Sequence, residues 1–249
     1  MGKIAVVTGA SSGMGCEFVK QLDRYTRTLD EVWVIARRKE RLIALQRVIT
    51  RFPLRILPLD ICNEEDLVKL SELLENEKAK VRLLVNAAGV GTTGNFESLT
   101  RQEADNMVLL NDKALVSLTK IVLPYMTIPG NMIQMASASA FLPQKNFAVY
   151  AASKSFVLSF SQALNAELKK KGITVTAVCP GPVDTEFLTI SNGGKAQKPL
   201  KRLVTVKAKP VVLKALRDAK AGKSVSVYGF PMKAVYVLSK FVPNHLFLK

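Results

Sequence analysis

The sequence predicts a doubly wound α/β fold, in which helices cover both faces of a parallel sheet of about seven strands. Short apolar runs rich in β-forming residues alternate with amphipathic helical stretches along most of the 249 residues, which is the order of repeated βαβ units. Glycine-rich and polar turns directly follow several of these runs. Because ligands of such folds bind outside the carboxyl ends of the strands, these turns are where we expect functional residues.

The first half of the chain supplies three strand–helix pairs. A strand in "KIAVVTGA" leads through its glycine turn into a helix in "MGCEFVKQLDRY", where Met14, Phe18, Val19 and Leu22 recur at helical spacing. The next four elements are a strand in "EVWVIAR", a helix in "ERLIALQRVITRF", a strand in "LRILPLDI" and a helix in "EEDLVKLSELLEN". The acidic start of the last helix is favourable at a helix N-terminus.

The second half continues the pattern with longer helices. A strand in "VRLLVNAAG" precedes a long helix within residues 101–127, and a strand in "NMIQMAS" precedes a helix over about residues 147–171. Two further strands are predicted in "ITVTAVCPG" and "SVSVYG". No linker, repeat or low-complexity tract interrupts the chain, so we expect a single domain over residues 1–249.

Composition narrows the functional class. Three scattered cysteines lack metal-ligand spacing and fit a reducing compartment. A single histidine, His245, argues against a Ser-His-Asp hydrolase and against a histidine-rich metal site, so no metal is predicted. Neither a signal peptide nor an apolar stretch of about 18 residues is evident. We therefore expect a soluble, cytoplasmic protein.

Positive charge is concentrated at the C-terminal end. The net charge is +16, and the segment from Lys195 onward holds thirteen Lys or Arg against one acid, Asp218, whereas residues 1–194 hold twenty-three against nineteen. Such a field suits an anionic membrane, an acidic carrier protein or a phosphate-bearing substrate. A solvated lysine-rich surface explains it equally well. Charge alone gives no case for specific nucleic-acid binding, since no aromatic stacking surface or recognition motif accompanies it.

Tyr150 and Lys154, in "YAASK", lie four residues apart on a predicted helix and therefore on one face. An ammonium beside a phenol favours the phenolate and lowers the phenol's pKa, which moves it toward acid–base work near neutral pH. By itself the spacing is also typical of a packed ring beside a solvated lysine.

The turn "TGASSGMG", residues 8–15, carries Gly9, Gly13 and Gly15 between the first strand and the first helix. Glycines let the backbone approach a ligand, and the N–H groups at the start of the helix attract a pyrophosphate. This position predicts dinucleotide binding.

Taken together, the motifs resemble those of the short-chain dehydrogenase/reductase family. The resemblance rests on the glycine turn, on "NAAG" at 86–89, on Ser137, on "YAASK" at 150–154 and on "PGPVDT" at 180–185, and it spans residues 4 to about 190. Ala87 stands at the second position of the usual N-N-A-G, a departure that we read as harmless. The resemblance implies a Rossmann-type fold and a homo-oligomer, either dimer or tetramer.

By this resemblance, Tyr150 is the general acid and base that exchanges a proton with the substrate oxygen. Ser137 would polarise the same oxygen, while nearby Ser139 has the wrong spacing for that role. Lys154 would lower the pKa of the tyrosine and hold the nicotinamide ribose. Asn111, in the long helix, would hold a water that links Lys154 to solvent.

The cofactor implied is a nicotinamide dinucleotide. An acid after the second strand would favour NAD, but Ala36 stands there and is followed by Arg37 and Arg38, which favour the 2′-phosphate of NADPH over NADH, with Arg37 ahead of Arg38. The other expected cofactor contacts are Gly9, Ser11, Ser12, Gly13, Met14, Gly15, Asp60, Asn86, Ala87, Ala88, Gly89, Tyr150, Lys154, Pro180, Gly181, Val183 and Thr185.

Substrate recognition is expected from less regular segments. Residues 182–205 are polar and lysine-rich, as in the mobile substrate lid of the family. Phe141, Leu142, Phe147, Phe187 and Leu188 are candidates for an apolar pocket, with core packing as the alternative. The apolar and basic extension at 230–249 would form a helix that lies on a membrane, contacts another subunit or caps the pocket. These features predict an NADPH-dependent reductase of a hydrophobic ketone or aldehyde. A 3-oxoacyl thioester reductase and a non-catalytic NADP(H) sensor remain the alternatives.

Overall fold

The computed structural model of the protein describes residues 2–25, 28–191, 193 and 204–242. Strands and helices alternate in the order that the sequence predicts. The strands are β1 (Lys3–Thr8), β2 (Glu31–Ile35), β3 (Leu54–Leu57), β4 (Lys80–Asn86), β5 (Met126–Met135), β6 (Ile173–Val178), β7 (Val183–Asp184), β8 (Val206–Lys207) and β9 (Val225–Ser226). The helices are α1 (Gly13–Tyr25), α2 (Lys39–Gln46), α3 (Glu64–Asn76), α4 (Arg101–Val108), α5 (Ala114–Val122), α6 (Ala148–Lys169), α7 (Glu186–Ser191), α8 (Ala208–Lys220) and α9 (Phe230–Leu238).

Seven strands of the described residues form one parallel sheet in the order β3-β2-β1-β4-β5-β6-β9. The predicted doubly wound α/β fold is therefore confirmed. Strand order reverses between β1 and β4, and this reversal opens a crevice above their carboxyl ends. A separate parallel pair, β7 and β8, was not predicted, because two-residue strands are too short to show a periodic pattern.

The sheet has an apolar core on each face. In β1, Ala5 and Val7 pack with α1, α2 and α8 on one side, while Ile4 and Val6 pack with α3 and α5 on the other. Successive side chains of a strand point to opposite faces, so a run such as "IAVV" supplies both cores. Burial of this kind fixes the strand ends, and hence the loops above them.

Local signals set several helix starts. The Asn63 side chain accepts a hydrogen bond from the Asp66 N–H at the start of α3, and Thr100 and Glu103 form a capping box at the start of α4. Helix α2 is shorter than predicted and ends at Gln46. The N–H groups of Thr50 and Arg51 instead donate to the carboxylate of Asp23, which draws this segment out of the helix.

The long helix predicted within residues 101–127 is not uniform. Helix α4 passes into a π-helical turn over Leu109–Lys113 before α5 begins, and a 3₁₀ turn over Leu123–Tyr125 ends the segment. A π turn inserts one extra residue per turn and is frequent at functional sites. It changes the direction in which Asn111 projects.

Two predicted segments are described only in part. Residues 192 and 194–203 of the predicted lid, and residues 243–249 with His245, lie outside the described residues. The predicted C-terminal helix is confirmed in α9. Among the helices that the structure describes, none is both long enough and apolar enough to cross a membrane.

Candidate active site

A cavity of about 820 Å³ lies above the carboxyl ends of the strands, where the strand order reverses. Its wall brings together most of the residues predicted from the sequence, from seven separate segments of the chain. The predicted residues that line it are Gly9, Ser11, Ser12, Gly13, Met14, Arg37, Arg38, Asp60, Ala87, Ala88, Gly89, Ser137, Tyr150, Lys154, Pro180, Gly181, Val183 and Thr185. Gly15, Asn86 and Asn111 do not line the cavity but lie behind its wall.

The glycine turn is fastened to the loop after β4. The Thr8 hydroxyl accepts hydrogen bonds from the N–H groups of Ala87 and Ala88, at 3.1 and 3.2 Å. Gly9 has φ of +65°, and a Cβ added there would lie 2.8 Å from the Ala88 nitrogen. A side chain at this position would thus be both strained and blocked. Glycine at position 9 therefore lets the glycine turn and the loop after β4 pack directly against each other and form one surface.

Asn86 and Gly15 support this surface from behind. The Asn86 amide donates to the Thr119 hydroxyl and to the Gln134 side chain, at 3.0 and 2.9 Å, so it links β4 to α5 and β5. A Cβ on Gly15 would collide with the backbone of Gly9, so its glycine lets α1 begin directly beneath the turn. These two residues position the wall in this structure.

Tyr150 lies on α6 beneath the cavity and is buried. Burial raises the pKa of Tyr150 to about 12, and an interaction with the Ser137 side chain acts in the opposite direction. The sequence predicted a lowered pKa, and that expectation is wrong for this structure. The phenol is therefore protonated at neutral pH, which is the state that a proton donor requires.

Ser137 is held in place at the start of a 3₁₀ turn after β5. Its hydroxyl oxygen accepts a hydrogen bond from the Ser139 N–H at 3.1 Å. Ser139 thus orients Ser137 through its backbone. The arrangement leaves the Ser137 hydroxyl proton free to be directed into the cavity that it lines.

Lys154 is buried one helical turn after Tyr150. Its Nζ donates to the Met135 carbonyl at 2.9 Å and lies 5.8 Å from the centroid of the Tyr150 ring. Burial lowers the pKa of Lys154 to about 8, with Asp112 acting to raise it. The ammonium is thus held by a backbone carbonyl at the end of β5.

Asn111 projects from the π turn into the space behind Lys154. Its amide oxygen accepts from the Val90 N–H and its amide nitrogen donates to the Val90 carbonyl and the Ser153 hydroxyl, at 2.9, 2.9 and 3.0 Å. A Cβ on Gly89 would lie 3.1 Å from the Asn111 oxygen and 3.3 Å from the Lys154 Nζ. Glycine at 89 lets these two polar side chains approach the cavity wall together.

The two arginines after β2 differ in their contacts. Arg37 is mostly exposed and lies 3.6 Å from the Asp60 carboxylate. Arg38 instead reaches the glycine turn, where its Nη2 donates to the Ser12 hydroxyl at 2.8 Å and to the Ser11 hydroxyl at 3.2 Å. The sequence favoured Arg37, whereas the structure places Arg38 in contact with the predicted phosphate-binding loop.

Sequence analysis missed two charged residues near this end of the cavity, Glu186 and Arg41. Glu186, the first residue of α7, accepts hydrogen bonds from Arg38 and from Arg41. Both arginines precede it by about 145 positions, so no local pattern connects them. The only sequence signal was the run of cations after β2, which requires an anion somewhere.

The opposite end of the cavity is apolar. The Phe147 ring stacks on the Tyr150 ring with a centroid distance of 4.3 Å. The centroid of the Phe187 ring lies 5.6 Å from that of Tyr150. Met232 and Val235 of α9 also line the cavity. Of the five predicted pocket residues, Phe147, Phe187 and Leu188 line it, while Phe141 and Leu142 pack in the core. One face of α9 therefore caps the cavity, as one of the three alternatives predicted.

Comparison with known proteins was made on sequence and on structure. A family model for short chain dehydrogenase matches residues 3–195. An uncharacterized oxidoreductase of Staphylococcus aureus (strain MW2) is 30% identical over 198 residues, which cover 79% of this chain and 84% of the relative.

Solved structures resemble most of this chain. A short-chain dehydrogenase from Sphingobium yanoikuyae in complex with NADPH superposes with a TM-score of 0.81 at 26% identity, covering 97% of this chain and 96% of that one. A 3-ketoacyl-(acyl-carrier-protein) reductase from Brucella melitensis complexed with NADH gives a TM-score of 0.78 at 26% identity, covering 91% and 96%.

Proposed function

The chain belongs to the short-chain dehydrogenase family, and from this premise we propose that it is an NADPH-dependent reductase of hydrophobic ketones or aldehydes. Membership of the family makes it an oxidoreductase. One observation carries the proposal of carbonyl reduction. The protonated, buried Tyr150 lies between the apolar end and the polar, glycine-lined end of the same cavity.

The residues present fit a phosphorylated nicotinamide cofactor. Gly9 and Gly13 leave room for a pyrophosphate at the start of α1, and Asp60 and Ala88 line the cavity toward β3 and β4. Arg38 and the Ser11 and Ser12 hydroxyls form a cluster of donors that suits a phosphate. Thr185 lies against Gly13 at the other side of the turn, where it would bind the nicotinamide amide.

The reaction assigned to this site is a proton transfer coupled to hydride transfer. A nicotinamide held in this cavity would supply the hydride that the carbonyl carbon receives. Tyr150 donates its proton to the carbonyl oxygen, and the Ser137 hydroxyl hydrogen-bonds the same oxygen as negative charge develops on it. Lys154 stabilises the phenolate that remains and binds the nicotinamide ribose. Asn111 holds the water through which Lys154 exchanges protons with solvent. In the reverse direction Tyr150 accepts the proton.

The substrate end favours an apolar group beside the carbonyl. Phe147, Phe187, Met232 and Val235 provide apolar surface within reach of Tyr150, and apolar lining with few polar groups is typical of sites for lipophilic ligands. A 3-oxoacyl thioester is the second candidate. The basic surface favours it, since both coenzyme A and an acyl carrier protein are acidic, and the Brucella melitensis relative acts on such a substrate by its name.

We also propose that the enzyme is a single cytoplasmic domain that forms a homo-oligomer. We propose further that it contacts anionic membranes through α9 and the four residues that follow it. While Met232 and Val235 face the cavity, Phe230 and Phe241 are 83% and 81% exposed and Val237 and Leu238 are about half exposed. Lys233 and Lys240 are exposed beside them. Apolar side chains flanked by lysines suit the interface of an anionic bilayer. A second copy of the chain that packed against the same face would bring lysines next to lysines, so the like charges disfavour a subunit contact there.

The proposal is tested first by cofactor binding and turnover. NADPH and NADH binding is measured by fluorescence, and NADPH oxidation is followed with a panel of ketones, aldehydes and 3-oxoacyl thioesters. We expect Tyr150→Phe to retain NADPH binding and to lose turnover by about 10²–10⁴-fold, the usual contribution of a general acid. Tyr125→Phe, a half-buried tyrosine outside the cavity, is the matched control.

The outcomes separate the alternatives. Turnover that survives in Tyr150→Phe would overturn the assignment of the proton donor. Tight NADPH binding with no turnover of any carbonyl compound would instead favour the alternative function, a non-catalytic NADP(H) sensor. Tighter binding of NADH than of NADPH would contradict the cofactor assignment.

A further inference from the structure

Three charged side chains meet at the end of the cavity where Arg38 contacts the glycine turn. Arg38 grips the Glu186 carboxylate with two parallel hydrogen bonds, from Nη1 to Oε1 at 2.9 Å and from Nη2 to Oε2 at 3.1 Å. Arg41, one turn further along α2, adds a bond from its Nη1 to Oε2 at 2.7 Å. One carboxylate thus engages two guanidinium groups, and we call this set the Glu186 clamp.

The clamp joins two parts of the cavity wall that are distant in the sequence. Arg38 also donates to the Ser11 and Ser12 hydroxyls of the glycine turn. Glu186 is the first residue of α7 and directly precedes Phe187, whose ring contacts Tyr150. Arg38 and Glu186 both line the cavity. The clamp therefore places a carboxylate of the protein itself at the end of the cavity that is proposed to bind phosphate.

The chemistry of the clamp is that of an occupied anion site. Hydrogen bonds from Arg38 and Arg41 hold the pKa of Glu186 at about 2, so the carboxylate is ionised across the working pH range. A carboxylate and a phosphate monoester use the same paired guanidinium donors. Both terminal nitrogens of Arg38 already face Glu186. A phosphate that reaches them must displace the carboxylate or share its donors with it.

We propose that Glu186 is a specificity-determining residue for the cofactor, because its carboxylate competes with the adenosine 2′-phosphate for Arg38 and Arg41. The inference rests on the proposed function, which assigns NADPH to this cavity. It adds that the chain carries its own competitor for the phosphate and that Arg41 contributes to phosphate binding. NADH has no 2′-phosphate, so its binding does not require the clamp to open. Glu186 thus narrows the preference for NADPH that the arginines create.

The experiment compares the dissociation constants of NADPH and NADH for the wild-type protein and Glu186→Gln, by fluorescence titration at one fixed ionic strength. Glutamine keeps the size of the side chain but removes its charge. We expect NADPH to bind about tenfold more tightly to Glu186→Gln, as removal of one close like charge from a phosphate site predicts, and NADH to bind as before. Asp184→Asn, which removes an exposed carboxylate two residues away, should change neither constant.

A second variant tests the arginine. Arg41→Ala should weaken NADPH binding several-fold, because a phosphate that displaces the Glu186 carboxylate would lose one of the two guanidinium groups that the carboxylate now engages. NADH, which has no 2′-phosphate, should bind unchanged.

Each outcome has one meaning. If Glu186→Gln weakens NADPH binding, the carboxylate orients Arg38 for the phosphate and competition is wrong. If the variant shifts NADPH and NADH equally or leaves both unchanged, the clamp has no role in selectivity. If the wild-type protein binds neither nucleotide, the proposed function itself fails, a result that the wild-type titration alone decides.

Discussion

At the scale of single residues, Lys154 is a cationic group whose charged form is destabilised by burial. It is only 4% exposed, and burial lowers its pKa from 10.5 to about 8. A shift of this size corresponds to roughly 3 kcal/mol of unfavourable free energy for the charged form. Its hydrogen bond to the Met135 carbonyl offsets part of this cost, by about 1.5–3 kcal/mol for a charged donor. The charge is retained at a position that touches the reacting end of the cavity, which agrees with the role proposed for it.

Lys154→Met should therefore raise the thermal midpoint at pH 7 by about 3 °C while abolishing turnover. The sign follows from proton binding. Below pH 8 the lysine is charged in both states and the full cost is present; between pH 8 and 10.5 the unfolded chain binds more protons, so the stability of the wild type rises with pH. The midpoints of the two proteins should converge between pH 8 and 10.5, the window that the two pKa values set.

Thermal unfolding followed by circular dichroism across this pH range gives the comparison. Lys169→Met removes an exposed lysine from the same helix and should leave the midpoint almost unchanged at every pH. A gap between wild type and Lys154→Met that stays constant with pH would show that the ammonium is not destabilised by burial.

At the scale of secondary-structure elements, α9 has two different faces. Met232 packs so closely on Gly181 that a Cβ there would lie 2.8 Å from the methionine sulfur. The other face leaves Phe230, Val237 and Leu238 exposed, and exposed apolar groups collected on one helix mark an interaction site. The same short helix thus shapes the substrate pocket and offers a surface for contact.

We predict that the protein floats with vesicles of phosphatidylcholine and phosphatidylserine, and that Phe230→Ser/Phe241→Ser abolishes this. Phe156→Ser, which removes another exposed phenylalanine from α6, is the matched control and should float normally. NADPH oxidation with a water-soluble ketone checks that each variant is folded. Sedimentation velocity covers the remaining possibility: if the double variant alters the oligomeric state and the wild type does not float, α9 is a subunit contact.

The secondary-structure elements also show which features of the site can be predicted from the sequence and which cannot. Tyr150, Lys154 and the glycine turn were predicted because their spacing is local, within one helix or one loop. The Glu186 clamp was not, because it joins residues about 145 positions apart. The π turn at Asn111 was missed because its sequence continues the helical periodicity of α4. The raised pKa of Tyr150 depends on burial by several elements, which no single motif encodes.

At the scale of the whole molecule, charge is distributed unevenly along the chain. The chain from Lys195 onward holds thirteen of the 36 basic residues and one of the 20 acids. Asp218 is itself paired with Lys214 and Lys223, at 2.6 and 3.0 Å. Little negative charge is left there to offset the lysines, so we predict that the segment that contains α9 attracts anionic surfaces.

Vesicle binding should accordingly depend on salt and on lipid charge. Each lysine or arginine near an anionic surface contributes about 1 kcal/mol. Raising NaCl from about 0.01 M to about 1 M shortens the screening length from about 30 Å to about 3 Å, so we expect flotation at the lower concentration and none at the higher. Vesicles of phosphatidylcholine alone should bind weakly at both. Flotation that is indifferent to salt would assign the contact to the apolar side chains of α9 alone.

The two faces of α9 also have a kinetic consequence. If α9 lies on a bilayer as proposed, the helix that lines the pocket is also the helix that contacts the lipid. We then expect a lipophilic substrate to enter from the membrane without passing through bulk water. The quantity that saturates the enzyme is then the mole fraction of substrate among the lipids. Adding inert lipid to a fixed amount of substrate dilutes it in two dimensions and slows turnover, although its total concentration in the tube is unchanged.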